Sequence, residues 1–144
     1  MAVPARISLI TIGVHDLTQM TAFYESLGWK RSSVSNDEVS FFATADSALG
    51  LYPLPHLAAD ANLPVPPETP FRGISLAINV ESEADVDRVL GEAEAAGATI
   101  PKHASRASWG GYTGYFADPE GNAWEVAYNP GFPLQDDGSI QLPR

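Results

Sequence analysis

The sequence contains no cysteine among its 144 residues, which excludes disulfide bonds, thiolate nucleophiles and metal sites built on thiolates. It has only three histidines, so a metal site would depend on a few imidazoles and on carboxylate oxygens. No apolar run reaches the roughly 18–20 residues that a membrane helix needs. The N-terminal residues also lack the charged start and long apolar stretch of a secretory signal. We therefore expect a cytoplasmic protein with no membrane partner.

Basic residues are scarce as well, with 8 Lys and Arg against 18 Asp and Glu, which gives a formal charge of −10. A chain this acidic repels phosphate backbones, so we expect no nucleic-acid partner. The charge has two interpretations, solubility alone or attraction of a cationic small molecule, and both stay open here. Hydrophobic residues make up 44% of the chain, which is enough to build a folded core.

Hydrophobic periodicity predicts a helix and four strands in the first half. The helix begins after Asp16, with Gln19 at the capping-box spacing, and Gly28 ends it. Alternating apolar and β-branched residues mark the strands. The predicted strands cover residues 6–14, 29–35, 38–44 and 48–52.

The second half repeats this order. Ser82, with Asp85 three residues later, caps a helix that Gly97 ends. A tight turn over residues 118–122 joins the last two strands. The predicted strands of this half cover residues 73–80, 98–102, 113–117 and 123–128.

A proline-rich segment joins the halves, since six of the twelve prolines fall within residues 53–70. Proline lacks an amide donor, so we expect neither a helix nor an inner strand here, but a connector or a flap.

The repeat has an offset of 66 residues, which aligns Asp16 with Ser82 and Leu9 with Ser75. A repeat of this kind predicts an α+β fold of two βαβββ modules, residues 6–52 and 73–129, joined by a loop over 53–72 and followed by a tail over 130–144. We expect their strands to form a curled mixed sheet around a central cleft in which a small ligand binds.

Three segments resemble a known family: VHDLTQMTAFYESLGWK from Val14, AINVESEADVDRVLGEAEAAGA from Ala77, and GYFADPEGNAWEVAYNP from Gly114. Together they are similar to the vicinal oxygen chelate superfamily, which includes glyoxalases, bleomycin resistance proteins and dioxygenases. The DPxGxxxE block of the third segment is the most specific match. The resemblance covers roughly residues 6 to 134 and implies the predicted fold.

The resemblance also implies four metal-ligand positions, two in each half. They fall on Leu9, Gly50, Ser75 and Glu125. Leucine and glycine offer no donor atom, and a serine hydroxyl is a poor ligand for a divalent ion. We therefore expect a metal-free branch of the family, with no cofactor and these positions vestigial. Glu125 stays a candidate general base or cation acceptor, with a structural relic as the alternative.

Aromatic residues cluster between Trp109 and Trp124, around the glycines of a predicted loop. Alternation places Thr113, Tyr115 and Ala117 on one strand face, with Gly114 and Phe116 on the other. An aromatic wall for a planar or cationic ligand and a packed core both fit this pattern. The candidate ligand-binding residues are Trp109, Tyr112, Tyr115, Trp124, Phe42, Tyr52, Ser75 and Leu9.

His103 lies near Lys102 and Arg106 in the only basic cluster of the second half. It is a second candidate catalytic residue, for proton transfer or for an anionic group, although a surface histidine is the alternative.

Three functions remain. The first is a glyoxalase/bleomycin resistance-like protein that binds a small hydrophobic or cationic molecule without metal. The second is a glyoxalase-like lyase or isomerase, or a dioxygenase-type enzyme, which uses Glu125 as a base or as the sole retained metal ligand. The third is a structural or partner-binding role with a filled cleft. The resemblance also implies a homodimer.

Overall fold

A computed structural model of the protein describes residues 2–142. Within that range the chain forms three helices and seven strands, which confirms the α+β class. The strands belong to two mixed sheets, one of three strands and one of four. The chain divides into two compact units, with the boundary between Pro67 and Glu68.

The first unit holds a three-stranded sheet in the order β1-β3-β2, with β3 parallel to β1 and antiparallel to β2. Helix α1 packs against β3, and helix α2 packs against β1 and β3. The elements of this unit are β1 (Ile10–Val14), α1 (Leu17–Ser26), β2 (Ser40–Ala43), β3 (Ala48–Pro53) and α2 (Leu54–Asp60).

The start of α1 confirms the capping prediction. The Asp16 carboxylate accepts the backbone N–H of Gln19 at 3.0 Å, which satisfies one of the free amides of the first turn. Gly28 follows the helix with a φ of 91°, a conformation that glycine adopts without steric cost. The buried face of the helix includes Met20, Phe23 and Tyr24.

The strand predicted over residues 29–35 is wrong, because the structure has only one isolated bridge there, between Arg31 and Phe42. Side chains in the following loop take the backbone amides that a ladder would need. Ser35 Oγ accepts the N–H of Phe41 at 2.9 Å, and Asn36 Oδ1 accepts that of Glu38 at 2.7 Å. Such local bonds compete with strand pairing, so the first unit lacks one of the strands expected of a βαβββ module.

The prediction of no helix within residues 53–70 is also wrong, since α2 occupies Leu54–Asp60. Pro55 lies in the first turn of α2, where the backbone N–H has no intrahelical partner, so the missing donor costs nothing. The later prolines, Pro64, Pro66, Pro67 and Pro70, lie outside helices and strands, as expected.

The second unit has the predicted βαβββ order. Its sheet runs β4-β7-β6-β5, and α3 covers one face, where Leu90 lies close to Gly114. The Ser82 hydroxyl caps α3 by accepting the N–H of Asp85 at 3.1 Å. The elements are β4 (Ser75–Val80), α3 (Glu83–Ala95), β5 (Thr99–Arg106), β6 (Tyr112–Ala117) and β7 (Ala123–Tyr128).

The strand registers of the two units correspond. Gly50 of β3 pairs with Thr11 and Phe41, and Glu125 of β7 pairs with Ala77 and Tyr115. Thr11 and Ala77 are 66 residues apart, which is the offset of the sequence repeat. Gly50 and Glu125 therefore occupy equivalent positions in the two sheets.

The predicted tail over 130–144 contains one isolated bridge, between Leu134 and Ile140, and its last two residues lie outside the described range. Among the described residues, no helix is long and apolar enough to cross a membrane.

Candidate functional site

The four-stranded sheet has one face that α3 does not cover, which we call the helix-free face. Paired residues of neighbouring strands point to the same side of a sheet, so the register determines which side chains share this face. Most of them are small, and several of the small ones are buried. The helix-free face carries Ser75, Ala77, Asn79, Thr113, Tyr115, Ala117, Ala123, Glu125 and Ala127.

Glu125 lies in the middle of this face, on the inner strand β7. Its side chain is half-buried, and it forms no hydrogen bond or ion pair with any other residue of the described chain. The alternative of a relic carboxylate bonded to Ser75 or to a tyrosine therefore has no support within residues 2–142. The carboxylate is available to accept a proton, a hydrogen bond or a cation.

Ser75 lies one row away, because it pairs with Ala123 and not with Glu125. Its side chain is exposed, and its hydroxyl makes a long contact of 3.5 Å to the carbonyl of Leu76. It contributes a weak polar group at the edge of the face.

Of the candidate aromatic residues, Tyr115 lies directly beside Glu125 on the helix-free face. Trp124 lies on the other side of the sheet, where it is 5% exposed and stacks on Phe116 with ring centroids 5.9 Å apart. Phe42 is fully buried in the first unit and packs against Tyr24 at 6.0 Å. Trp124 and Phe42 thus belong to the cores of the two units.

Tyr112 points toward α3, where its hydroxyl donates a hydrogen bond to Asp87 Oδ1 at 2.8 Å. This hydrogen bond raises the pKa of Tyr112, with smaller contributions from desolvation and from the negative charges of Asp87 and Glu83, while Arg106 opposes them. Tyr112 therefore links β6 to α3 on the side opposite Tyr115.

Trp109 lies in the turn between β5 and β6 and is 55% exposed. Its ring covers Gly111, where an added Cβ would clash with the indole. This ring position therefore requires glycine at 111, and much of the ring stays accessible to solvent.

The three basic residues of β5 do not share one environment in the structure. His103 and Lys102 are exposed, whereas Arg106 forms an ion pair with Glu83 of α3 at 3.4 Å. Lys102 pairs with Tyr115 and so belongs to the same row as Glu125. Lys102 was predicted only as a basic neighbour of His103, because strand register cannot be derived from local pattern.

The first unit has a shallow apolar depression of about 310 Å³. Gly50 lies beside it, and a Cβ there would meet Thr11 Oγ1, Phe41 Cε1 and Leu9 Cδ1 at 3.2, 3.3 and 3.5 Å. Sequence reasoning identified Leu9 and Phe42 among the lining residues but missed Val34 and Phe41. The depression is lined by Leu9, Ser32, Val34, Phe41, Phe42, Ala43 and Ala48.

Tyr52, the remaining candidate, is the second-last residue of β3 and is half-buried against His56 of α2, with ring centroids 5.8 Å apart. His56 thus belongs to a helix and not to the expected connector or flap. The contact joins β3 to α2 within the first unit.

The donor set does not fit a divalent metal. Leu9 and Gly50 present apolar contacts, Ser75 presents a hydroxyl, and only Glu125 offers a strong donor. Within residues 2–142, no three His, Asp or Glu side chains come together in a way that could hold a metal ion.

The fold defines a class, an α+β protein built from two related sheet-and-helix units. A family model, the Glyoxalase/Bleomycin resistance protein/Dioxygenase superfamily, matches residues 6–126. The chain belongs to this superfamily.

Solved structures support the assignment. A glyoxalase-related enzyme from Fulvimarina pelagi is 31% identical over 98% of this chain and 100% of its own, with a TM-score of 0.86. A glyoxalase/bleomycin resistance protein/dioxygenase family enzyme from Burkholderia phytofirmans PsJN is 25% identical over 84% of this chain and 96% of its own, with a TM-score of 0.75. A lactoylglutathione lyase from Agrobacterium tumefaciens is 26% identical over 88% of this chain and 95% of its own, with a TM-score of 0.67. A search of curated proteins found no match.

Proposed function

We propose that this protein binds a small hydrophobic or cationic molecule on the helix-free face, without a metal. The observation that carries the proposal is Glu125, a half-buried carboxylate without a partner in the described chain, beside the ring of Tyr115. Glu125 would accept the positive charge, and Tyr115 would contact the apolar or aromatic body. The net charge of −10 would favour the approach of a cation.

The small side chains around Glu125 support this assignment. Ala77, which is exposed, and Ala123, which is half-buried, place no bulky group on the face next to Glu125, whereas Ala127 is buried. A flat molecule could therefore approach the backbone of β4 and β7 near Ala77 and Ala123. Trp109 would add a second aromatic contact at the β5–β6 turn.

Isothermal titration with 2-phenylethylammonium and with neutral 2-phenylethanol tests the proposal. We expect the cation to bind more tightly, and Glu125→Gln to weaken its binding by about tenfold, because the variant loses a charge-assisted hydrogen bond. Glu94→Gln is the matched control, since Glu94 is exposed on α3 and its loss changes net charge equally. Equal affinities for both compounds in the parent protein, or equal losses in both variants, would contradict the role of Glu125.

A second candidate function is a glyoxalase-like lyase or isomerase, which the unpartnered Glu125 favours because a general base must be free to take a proton. In that case Glu125→Gln abolishes turnover of a carbonyl substrate while binding of the substrate is nearly retained. Elemental analysis of untreated protein separates the metal-dependent form of this function, since a tightly held zinc, iron or manganese ion would overturn the metal-free proposal. We also propose a homodimer and a cytoplasmic location, and native mass spectrometry tests the first of these.

A further inference from the structure

The helix-free face carries a second charged group in line with Glu125. Lys102 of β5 pairs with Tyr115 of β6, and Tyr115 pairs with Glu125 of β7. The three side chains therefore form one row across three neighbouring strands, with opposite charges at its ends and an aromatic ring between them. Neighbouring strands lie about 4.8 Å apart, so the two charged residues are separated by roughly 10 Å at the backbone.

The backbone of β5 is irregular on both sides of Lys102. The register shifts between Thr99 and Lys102, and again between Lys102 and Ser105. In a regular strand, residues three apart point to opposite faces. The two irregularities instead place Thr99, Lys102 and Ser105 opposite Ala117, Tyr115 and Thr113, and hence on the helix-free face. Bulges often redirect a side chain in this way, and here they turn Lys102 to the face of Glu125.

Neither charged group is used within the described chain. Lys102 is exposed and Glu125 half-buried, and neither side chain takes part in a hydrogen bond or ion pair within residues 2–142. Arg88 and Arg106, by contrast, form ion pairs with carboxylates of α3. The separation across β6 keeps Lys102 and Glu125 from neutralising each other.

We propose that this row selects a zwitterionic ligand, with its cationic group on Glu125, its apolar body over Tyr115 and its anionic group on Lys102. The inference rests on the proposed function and adds to it a requirement for a negative charge at a fixed distance from the positive one. The proposed ligand is a long ω-amino acid or another zwitterion of equivalent length, because a short molecule cannot reach both ends of the row.

The experiment measures binding of four probes by isothermal titration: 8-aminooctanoate, octylammonium, octanoate and 4-aminobutanoate. We expect 8-aminooctanoate to bind most tightly, by about three- to fivefold over octylammonium, which is the gain expected of one exposed ion pair. Octanoate and 4-aminobutanoate should bind more weakly than octylammonium, since the first lacks the cation and the second is too short.

Lys102→Met should remove the advantage of 8-aminooctanoate over octylammonium, and it should not weaken the binding of octylammonium, because it takes away a positive charge from the same face. The matched control is Lys30→Met, because Lys30 is the other lysine of the chain and is exposed in the first unit. Lys102→Glu should reverse the preference, so that 1,8-diaminooctane binds more tightly than 8-aminooctanoate.

Two outcomes separate this proposal from the one on which it rests. Tight binding of octylammonium that depends on Glu125, with no effect of Lys102→Met or of the carboxylate, would overturn the zwitterion proposal and leave the proposed function intact. Failure of both octylammonium and 8-aminooctanoate to bind would overturn both.

Discussion

At the residue scale, the two units differ most at the equivalent positions Gly50 and Glu125. In the first unit, Thr11, Phe41 and Leu9 lie within van der Waals distance of the place where a side chain at residue 50 would begin. A glutamate there would have to displace these groups. In the second unit, Ala77 is the residue equivalent to Thr11, and the smaller side chain leaves room for the Glu125 carboxylate. The same backbone arrangement thus supports an apolar surface in one unit and a charged one in the other.

Two glycines of the second unit give a matched pair of predictions. An added Cβ at Gly114 would lie 3.0 Å from the backbone N of Ala104 and 2.7 Å from Leu90 Cδ1, so Gly114→Ala should destabilise the protein by about 1–3 kcal/mol. Gly91 lies in α3 with free space around it, so Gly91→Ala should stabilise by about 0.5–1 kcal/mol. Urea denaturation of both variants checks the opposite signs, and a stable Gly114→Ala protein would contradict the close approach of β5 and β6.

At the element scale, α3 is joined to the sheet by polar contacts as well as by its apolar face. Val86, Leu90 and Ala93 form the buried face of α3. Tyr112 of the sheet forms a hydrogen bond with Asp87 of the helix. Arg106 of the sheet forms an ion pair with Glu83 of the helix. The apolar stripe could be predicted from helical spacing. The polar contacts could not, because they join residues that are more than twenty positions apart in the chain.

The hydrogen bond between Tyr112 and Asp87 leads to a prediction about how the stability of the folded state depends on pH. The pKa of Tyr112 is raised above its ordinary value of 10.0, so the folded state holds this proton more tightly than the unfolded chain does. The resulting stability is complete below pH 10 and decreases as the pH rises through the folded-state pKa. Titration of ¹³Cζ-labelled tyrosines by NMR should show Tyr112 ionising above pH 10, and the Tyr112→Phe variant identifies its signal.

Asp87→Asn should lower the pKa of Tyr112 toward its ordinary value, because it removes the charged acceptor that causes most of the shift. Asp85→Asn serves as a control on the same helix, where Asp85 pairs with Arg88 and not with Tyr112. An unchanged Tyr112 titration in Asp87→Asn would show that the hydrogen bond does not form in solution.

At the scale of the whole molecule, the formal charge of −10 should destabilise the folded state by self-repulsion. Ion pairs on the surface stabilise the folded state, but each contributes little. They are Arg88–Asp85, Arg88–Glu92 and Arg106–Glu83. Added salt screens both effects, and the repulsion is the larger one. We expect the melting temperature to rise between 10 and 150 mM NaCl, as the Debye length falls from about 30 to about 8 Å.

Differential scanning fluorimetry across this range, at constant pH, measures the change. A melting temperature that falls with added salt would mean that the surface ion pairs outweigh the repulsion. Glu94→Gln removes one negative charge at an exposed site, so the melting temperature of this variant should rise less with added salt than that of the parent protein.

The sequence by itself determined the features that depend on neighbouring residues. Asp16 and Ser82 predicted the starts of α1 and α3, Gly28 and Gly97 predicted their ends, and alternation predicted β7. It also predicted the α+β class and, through the motif segments, the family, since caps, turns and periodicity are local physical signals. In residues 29–35, local side-chain hydrogen bonds replace pairing between strands, and the prediction of a strand there was wrong.

Only the tertiary structure decided which side chains share a surface. Trp124 and Glu125 are adjacent in the chain but lie on opposite faces of the sheet, one in the core and one on the helix-free face. Lys102 joins the row of Tyr115 and Glu125 because register shifts in β5 turn it to that face. Register and bulges are set by hydrogen-bond pairing between strands, so the pattern of residues within one strand cannot reveal them.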